Sequence, residues 1–354
     1  MKKIKLNKIK YITLISRCEE MKENIRCPKV SFIMPVLNEE KTIEKCLDSI
    51  MNLDYPKDKI EILIAEGPST DNTHKIVESY AKKCKNIKLL ENPTGNTAVG
   101  RNICIEHATG KMLMNYSGHV VAEKNLLRVL ALKLLRLPKE VAGVGCSNIS
   151  PEEGQNFVGK VSGVAFSSFM GGKNFFPQNA VFNEEKFVDH MSFTCYRKEV
   201  VEEVKGFDPE FWCGQDAELD IRIKKAGYKI LYTPETRVYH FKRAEIKSLF
   251  RQMYRYGVAR AKIIKKHPDT LRLSHLLGTG FVTGILVLLI LLILGLLPLW
   301  FVIGLALLYF LISVISSLRV TRKPSLVVFS VFFYFLIHVA YGTGFIRGVF
   351  YSKL

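Results

Sequence analysis

The chain offers one carboxylate placed to take a proton. Gly206-Phe207-Asp208-Pro209 reads as a turn, and Gly214-Gln215-Asp216 then opens a helical run whose apolar side is Leu219, Ile221, Ile223 and Ala226. Gly227 is expected as its C′ cap. A carboxylate at a helix mouth meets unpaired backbone N–H groups, which favour its ionised form. Such a group suits proton abstraction from a substrate hydroxyl. An ordinary capping aspartate has the same local signature, so the surroundings decide. Three other polar clusters, Asn38-Glu39, Glu66 to Asp71 and Ser117-Gly118-His119, each close a short apolar run. Acids and amides so placed suit the base and ribose of a nucleotide, with a divalent metal on its phosphates.

Those clusters need a scaffold, and the hydrophobic pattern supplies one. Residues 30–36, 60–65, 87–90 and 111–116 read as buried strands. Between them lie helical stretches: one with Ile43, Cys46, Leu47 and Ile50 on a single face, capped by Asn38; one with Ile76, Val77 and Tyr80; and one at 98–108 bearing Arg101-Asn102. Strand alternating with helix predicts an α/β, Rossmann-like, mostly parallel sheet, with ligands beyond the carboxyl ends of its strands. The three clusters fall at such ends. Neither a P-loop nor a G-x-G-x-x-G follows the first strand, which argues against a dinucleotide cofactor.

The 354 residues carry a formal net charge of +18. No basic helix with interleaved aromatics and no zinc-finger spacing is present, so a membrane surface rather than nucleic acid is the expected partner of that charge. The eight cysteines are scattered without a C-x-x-C pair, as expected of reduced thiols.

The ordered series of motifs resembles a known family. Pro35-Val36-Leu37-Asn38-Glu39-Glu40, Ser69-Thr70-Asp71-Asn72-Thr73 and Arg101-Asn102 are similar to the nucleotide-sugar half of inverting family 2 glycosyltransferases with the GT-A fold. Gly206-Phe207-Asp208-Pro209 and Gly214-Gln215-Asp216 resemble the acceptor half. Residues 250–268 resemble the segment after the catalytic domain in succinoglycan-type membrane glycosyltransferases, and Gln252-x-x-Arg255-Tyr256 is similar to the Gln-x-x-Arg-Trp of polysaccharide synthases. The resemblance covers residues 29–268. It implies that Asp216 is the catalytic base, with Gln215 replacing the usual preceding Glu. It puts Pro35, Asn38, Glu39, Glu66, Ser69, Asp71, Arg101 and Asn102 on the nucleotide sugar, Glu66 against the base; capping the next helix is the other role open to Asp71. Ser117, His119 and His240 fall at the metal or diphosphate, and Trp212, Gln215, Gln252, Arg255 and Tyr256 at the acceptor or membrane interface. Asp189-His190 lies where the family has a cleft motif, His190 being either a ligand or a structural histidine. Phe166, Phe169, Phe175 and Phe176 are core or acceptor lining, and residues 171–174 a loop near the acceptor.

At Ser117-Gly118-His119 the family has Asp-x-Asp or Asp-Gly-His, whose first Asp binds a divalent metal. Serine is a poor ligand for a hard cation, and an imidazole suits Mn²⁺ better than Mg²⁺. Three readings stay open: His119, His240 and the diphosphate hold the metal; basic residues replace its charge; or the protein binds a nucleotide sugar without turning it over.

Residues 1–28 form a basic lead-in, 29–243 the GT-A domain, and 244–273 a basic amphipathic segment with Ile246, Leu249, Phe250, Met253, Tyr256 and Gly257 on one stripe. Three transmembrane helices are expected in 276–346, at about 276–297, 299–317 and 325–345. His338 in the third is a functional flag or faces a neighbouring helix. Arg319, Arg322 and Lys323 lie between spans two and three, which puts the catalytic domain in the cytoplasm and the C-terminus outside the plasma membrane. The expected protein is a multi-pass glycosyltransferase moving sugar from a nucleotide-sugar donor to a lipid-linked sugar or polysaccharide precursor. The alternatives are a polyprenyl-phosphate hexose synthase and a non-catalytic nucleotide-sugar-binding relative.

Overall fold

The computed structural model describes residues 27–149, 156–172, 183–240 and 245–351. The lead-in up to residue 26, the loop residues Lys173 and Asn174, and Phe175 and Phe176 lie outside them.

The strand pattern forms as expected in the first half. β1 (Val30–Val36) pairs in parallel with β2 (Ile60–Glu66) and β4 (Met112–Asn115), and β2 with β3 (Ile87–Glu91). β5 (Val120–Ala122), β6 (Val141–Ile149), β7 (Lys186–Val188), β8 (Thr194–Arg197) and β9 (Lys229–His240) complete one sheet in the order β3-β2-β1-β4-β8-β6-β9-β5, with β7 also on β9. This second wing is mixed. β8 runs antiparallel to both β4 and β6, whereas β6 and β9 are parallel.

The period-2 pleat of β1 splits its side chains between two cores. Val30, Phe32, Met34 and Val36 face α1 (Ile43–Met51), α2 (Thr73–Lys83) and α4 (Leu126–Arg136), while Ile33 faces α3 (Thr97–His107), α6 (Lys198–Glu203) and α7 (Gln215–Lys225). Helix α5 (Phe157–Ser167) belongs instead to a third core, with α8 (Ile246–Lys266) and α11 (Pro324–Phe350). The remaining long helices are α9 (Leu273–Ile293) and α10 (Leu299–Leu318).

α9, α10 and α11 are long and apolar enough to cross a membrane. α11 differs from the expected span: it has 27 residues, continues to Phe350, and buries much of its surface against α8. Small residues allow that approach. A Cβ on Gly257 of α8 would lie 2.1 Å from the Tyr341 carbonyl oxygen, and one on Gly344 of α11 would lie 2.1 Å from that of Tyr254. Gly257→Leu is therefore expected to force the helices apart and cost about 1–3 kcal/mol, read as a lower melting temperature of the detergent-solubilised protein. The stripe expected on α8 is also rotated. Leu249, Met253 and Gly257 are buried, but Ile246 and Phe250 are exposed, and burial extends through Val258, Ala261 and Ile263. Packing against α11 selects this face. His338 is satisfied between helices, with Nε2 2.8 Å from the Met170 carbonyl and Nδ1 3.1 Å from the Tyr309 hydroxyl.

Candidate active site

Asp216 reaches its place through a chain of local ties. Gly214 adopts φ 72° as the N-cap of α7, a conformation glycine takes without strain, so Asp216 lies in the first turn. Its Oδ1 accepts from the Ala217 N–H at 2.9 Å. At the other end Gly227, at φ 93°, closes α7 in a Schellman motif: its N–H donates to the Lys224 carbonyl and that of Tyr228 to Ile223. The turn before α7 is held from α3. The Asn102 side chain donates to the Phe207 carbonyl (2.7 Å) and accepts from the Phe207 N–H (2.8 Å), while Asn96 caps α3 and donates to the Pro209 carbonyl (2.8 Å). Asn102, expected on the donor, spends both ends of its amide on this tie.

The carboxylate opens into a cavity of about 470 Å³ between the sheet, α7 and α8. The cavity gathers Arg101, Trp212, Gln215, Asp216, Gln252, Arg255 and Tyr256 with Ser117, His119 and His240 from the strand ends. Among the described residues that line it, Asp216 is the only carboxylate. Burial raises the Asp216 carboxyl, but the nearby His190 and Arg101 cations, the Ala217 N–H and the Ser192 hydroxyl outweigh it, so its pKa is lowered. Arg101 is itself buried, its guanidinium 5.2 Å from the Phe207 ring centroid, and its Nε and Nη1 have no protein partner. The Gln215 Oε1 is likewise buried without a partner. Unsatisfied buried polar atoms are costly, and a polar ligand would relieve them.

Sequence reasoning missed Arg251, Arg260 and Ser192, and left His190 undecided; all four line the cavity. Arg251, Arg255 and Arg260 of α8 all line the cavity; a helical projection groups 248, 251, 252, 255, 256, 259 and 263 on one broad face, and Arg260 lies at its edge. Asp189 turns away to Lys224 (2.5 Å) and Arg272. Of the phenylalanines, Phe166 lines the cavity and Phe169 is exposed.

The other expected donor residues lie at one side. Asn38 does not cap α1: at φ 55° it accepts from the Thr70 N–H (2.8 Å), while its own N–H donates to the Ser69 hydroxyl (3.2 Å). Asp71 accepts from the Thr73 N–H at the start of α2 (3.0 Å) and from the Glu40 N–H (3.2 Å). Asn38, Ser69 and Asp71 thus clasp the β1 and β2 loops together. Pro35 sits within β1 opposite Ala65. Glu66, at the end of β2, lines a second pocket with Pro68, Leu89, Leu90 and Pro93. Its Oε2 is 2.6 Å from His74 Nδ1, and its buried Oε1 has no partner.

The strand-end residues do not by themselves make a metal site. Glu39 Oε1 takes His119 Nδ1 at 2.6 Å, and the His119 ring lies against that of His240, centroids 4.8 Å apart. Ser117 is neutral, and no group of three His, Cys, Asp or Glu side chains among the described residues could hold a metal ion. The donor set does not fit a divalent cation held by protein alone.

Comparison with known proteins agrees with this geometry. The model of "Glycosyl transferase family 2" matches residues 31–205, and that of "Glycosyl transferase family group 2" matches 120–346. A Methanococcus voltae protein, "Dolichyl N-acetyl-alpha-D-glucosaminyl phosphate 3-beta-D-2,3-diacetamido-2,3-dideoxy-beta-D-glucuronosyltransferase", is 30% identical over 90% of this chain and 97% of its own. Succinoglycan biosynthesis protein ExoA of Rhizobium meliloti is 27% identical over 66% of this chain and 70% of its own. Among solved structures, a Pyrobaculum calidifontis mannosyltransferase in complex with GDP-Man and Mn²⁺ shares the fold, with TM-score 0.63, 17% identity and coverage of 97% and 95%.

Proposed function

The chain belongs to glycosyl transferase family 2 and is a glycosyltransferase, and from that premise we propose that it moves a sugar, with inversion, from a nucleotide-sugar donor to a lipid-linked sugar or polysaccharide precursor. The observation that carries this reading is the cavity wall that α8 and α11 supply beside Asp216. It is built from Arg251, Gln252, Arg255, Tyr256 and Arg260 of α8 and Tyr341 of α11, a helix long enough to span a membrane. A cavity with one basic wall beside a spanning helix suits an acceptor whose anionic end sits at a bilayer. The Methanococcus voltae relative is named for a dolichyl-phosphate-linked sugar, which supports the same acceptor class.

In the mechanism, Asp216 takes the proton of the acceptor hydroxyl. The freed oxygen attacks the anomeric carbon as the bond to the nucleoside diphosphate breaks on the opposite face. One carboxylate suffices for this single displacement, whereas a double displacement also requires a nucleophile; Asp216, the one carboxylate among the described residues lining the cavity, favours inversion. Arg101 and the α8 arginines offset the charge of the leaving diphosphate. Glu66, with the flat apolar walls of Leu89, Leu90 and Pro93, fits donor groups on the nucleotide's base. The donor set described above gives no step to a metal. By the positive-inside rule, the Arg and Lys residues around the spans favour a catalytic domain on the cytoplasmic face of a plasma membrane crossed three times.

The test is release of nucleoside diphosphate by the full-length detergent-solubilised protein across a nucleotide-sugar panel, with EDTA, Mg²⁺ or Mn²⁺. Turnover of at least one donor, stimulated by a polyprenyl-linked sugar, is expected. Nucleotide binding with no release in any condition would sink the reading. Arg255→Ala should lower kcat/KM about tenfold or more through loss of a charge-assisted hydrogen bond, with Arg255→Lys recovering part of the rate.

A polyprenyl-phosphate acceptor is the second reading, favoured by the three α8 arginines that line the cavity. A lipid phosphate is already an anion and needs no base, so transfer to it would survive Asp216→Asn.

A further inference from the structure

Behind Asp216 stands a second acid–imidazole pair that the mechanism above does not use. His190 lies in the connection between β7 and β8, and Asp220 lies one helical turn beyond Asp216 on α7. His190 Nδ1 is 2.7 Å from Asp220 Oδ2, and its Nε2 is 3.8 Å from Asp216 Oδ2. Asp220 is fully buried. Three donors converge on it: the His190 ring, the Tyr196 hydroxyl (2.6 Å to Oδ1) and the Met191 N–H (3.1 Å to Oδ2). A buried carboxylate is expensive unless so paired. What Asp220 achieves is a fixed imidazole, with Nδ1 committed to it and Nε2 turned towards the cavity carboxylate.

We propose that Asp220 and His190 are positioning residues for Asp216: Asp220 locks the imidazole ring, and the ring, as an ion-pair partner 3.8 Å away at Nε2, keeps the Asp216 carboxylate ionised at the cavity. The proposal rests on the reading of Asp216 as the base. Burial pulls the His190 pKa down, but the facing carboxylates of Asp216 and Asp220 raise it by more. Burial also pulls the Asp220 carboxyl up, against its three donors. The other charged or titratable groups around the pair are Arg101 of α3, Tyr196 of β8, Cys213 before α7, and Arg260 of α8, whose charge opposes protonation of His190. The sign follows for Asp216. An imidazolium beside it lowers its pKa, so removing the ring raises that pKa and moves the acid limb of the rate profile to higher pH.

Two measurements on the full-length solubilised protein test this. In the first, histidine-labelled protein is titrated by NMR, with His190 assigned through His190→Gln. Asp216→Asn and Asp220→Asn are each expected to lower the His190 pKa by about one unit; a titration that Asp216→Asn leaves unmoved overturns the proposal. In the second, His190→Gln is expected to lower kcat about ten- to a hundredfold, keep the donor KM within about twofold, and raise the acid limb by about one unit. A His190→Gln protein with the wild-type kcat and acid limb overturns it as well, since a merely structural histidine would move neither. If Asp220→Asn fails to fold, His190→Gln and Asp216→Asn still carry both arms. If no donor turns over in the wild type, the functional reading falls, while the NMR arm decides the coupling separately.

Discussion

Asp216→Asn is expected to reduce sugar transfer to a hydroxyl acceptor by about a hundred- to ten-thousandfold. The substitution preserves shape and can still accept from the Ala217 N–H, so α7 and the cavity should remain in place. It removes the only carboxylate among the described residues lining the cavity. The nucleotide should still bind, because Glu66 and the clasped β1 and β2 loops lie outside this cavity. A loss of kcat with little change in donor KM would match a group that acts only in the transition state. In wild type the acid limb should lie below the ordinary carboxylate range, because the neighbouring cations lower the Asp216 pKa. Transfer by Asp216→Asn at the wild-type rate would remove the base from the mechanism.

Glu218→Gln is expected to cost about 3 kcal/mol of stability at pH 7. Glu218 is fully buried, two residues beyond Asp216. Arg222 grips it in a fork, Nε at 2.9 Å and Nη2 at 2.7 Å from Oε2; Lys266 reaches Oε1 at 2.7 Å and His267 at 3.2 Å. Arg222 also donates to the Gly206 carbonyl at 2.7 Å. One carboxylate thus joins α7, the turn before it and the end of α8. A neutral amide would leave the Arg222 cation without its carboxylate and Lys266 with Asp208 alone. Burial raises the Glu218 pKa, but Arg222, Lys266 and His267 more than reverse it, to about 2. A depressed carboxylate pKa contributes stability above the unfolded value, near 4.3, and loses it as pH falls through the folded value. The difference in melting temperature between wild type and Glu218→Gln should therefore be full at pH 7 and shrink between about pH 4.3 and 2. A gap that stays constant over that window would show that the carboxylate's charge contributes nothing.

Much of the catalytic fold was legible because its signals are local. The apolar runs of β1 to β4, the helical spacing of α1 to α3, and the pairing of Gly214 with Gly227 around α7 each depend on a few neighbouring residues. The same holds for the length and apolarity of α9 and α10. Where long-range packing competes with local preference, sequence alone was a weaker guide. Asn38 has the right chemistry to cap α1, yet its side chain goes to Thr70, thirty-two residues away. The stripe on α8 rotated because α11 packs on it. The small residues that admit that contact, Gly257, Gly344 and Gly348, are visible in the chain, but nothing local says which helix they meet.

The residue types and spacing of the chain determined that Asp216 opens a helix, that polar clusters close strands, and that apolar helices follow a basic segment. Only the tertiary structure decided what faces Asp216. Arg101, His190, Ser192, Arg260 and Tyr341 come from four separate segments, and their shared cavity is a property of the packed sheet and helices. Local sequence sets backbone conformation through propensity and hydrophobic period. The electrostatics of a site depend on burial and on distances between groups far apart in the chain, which exist only once the layers have closed.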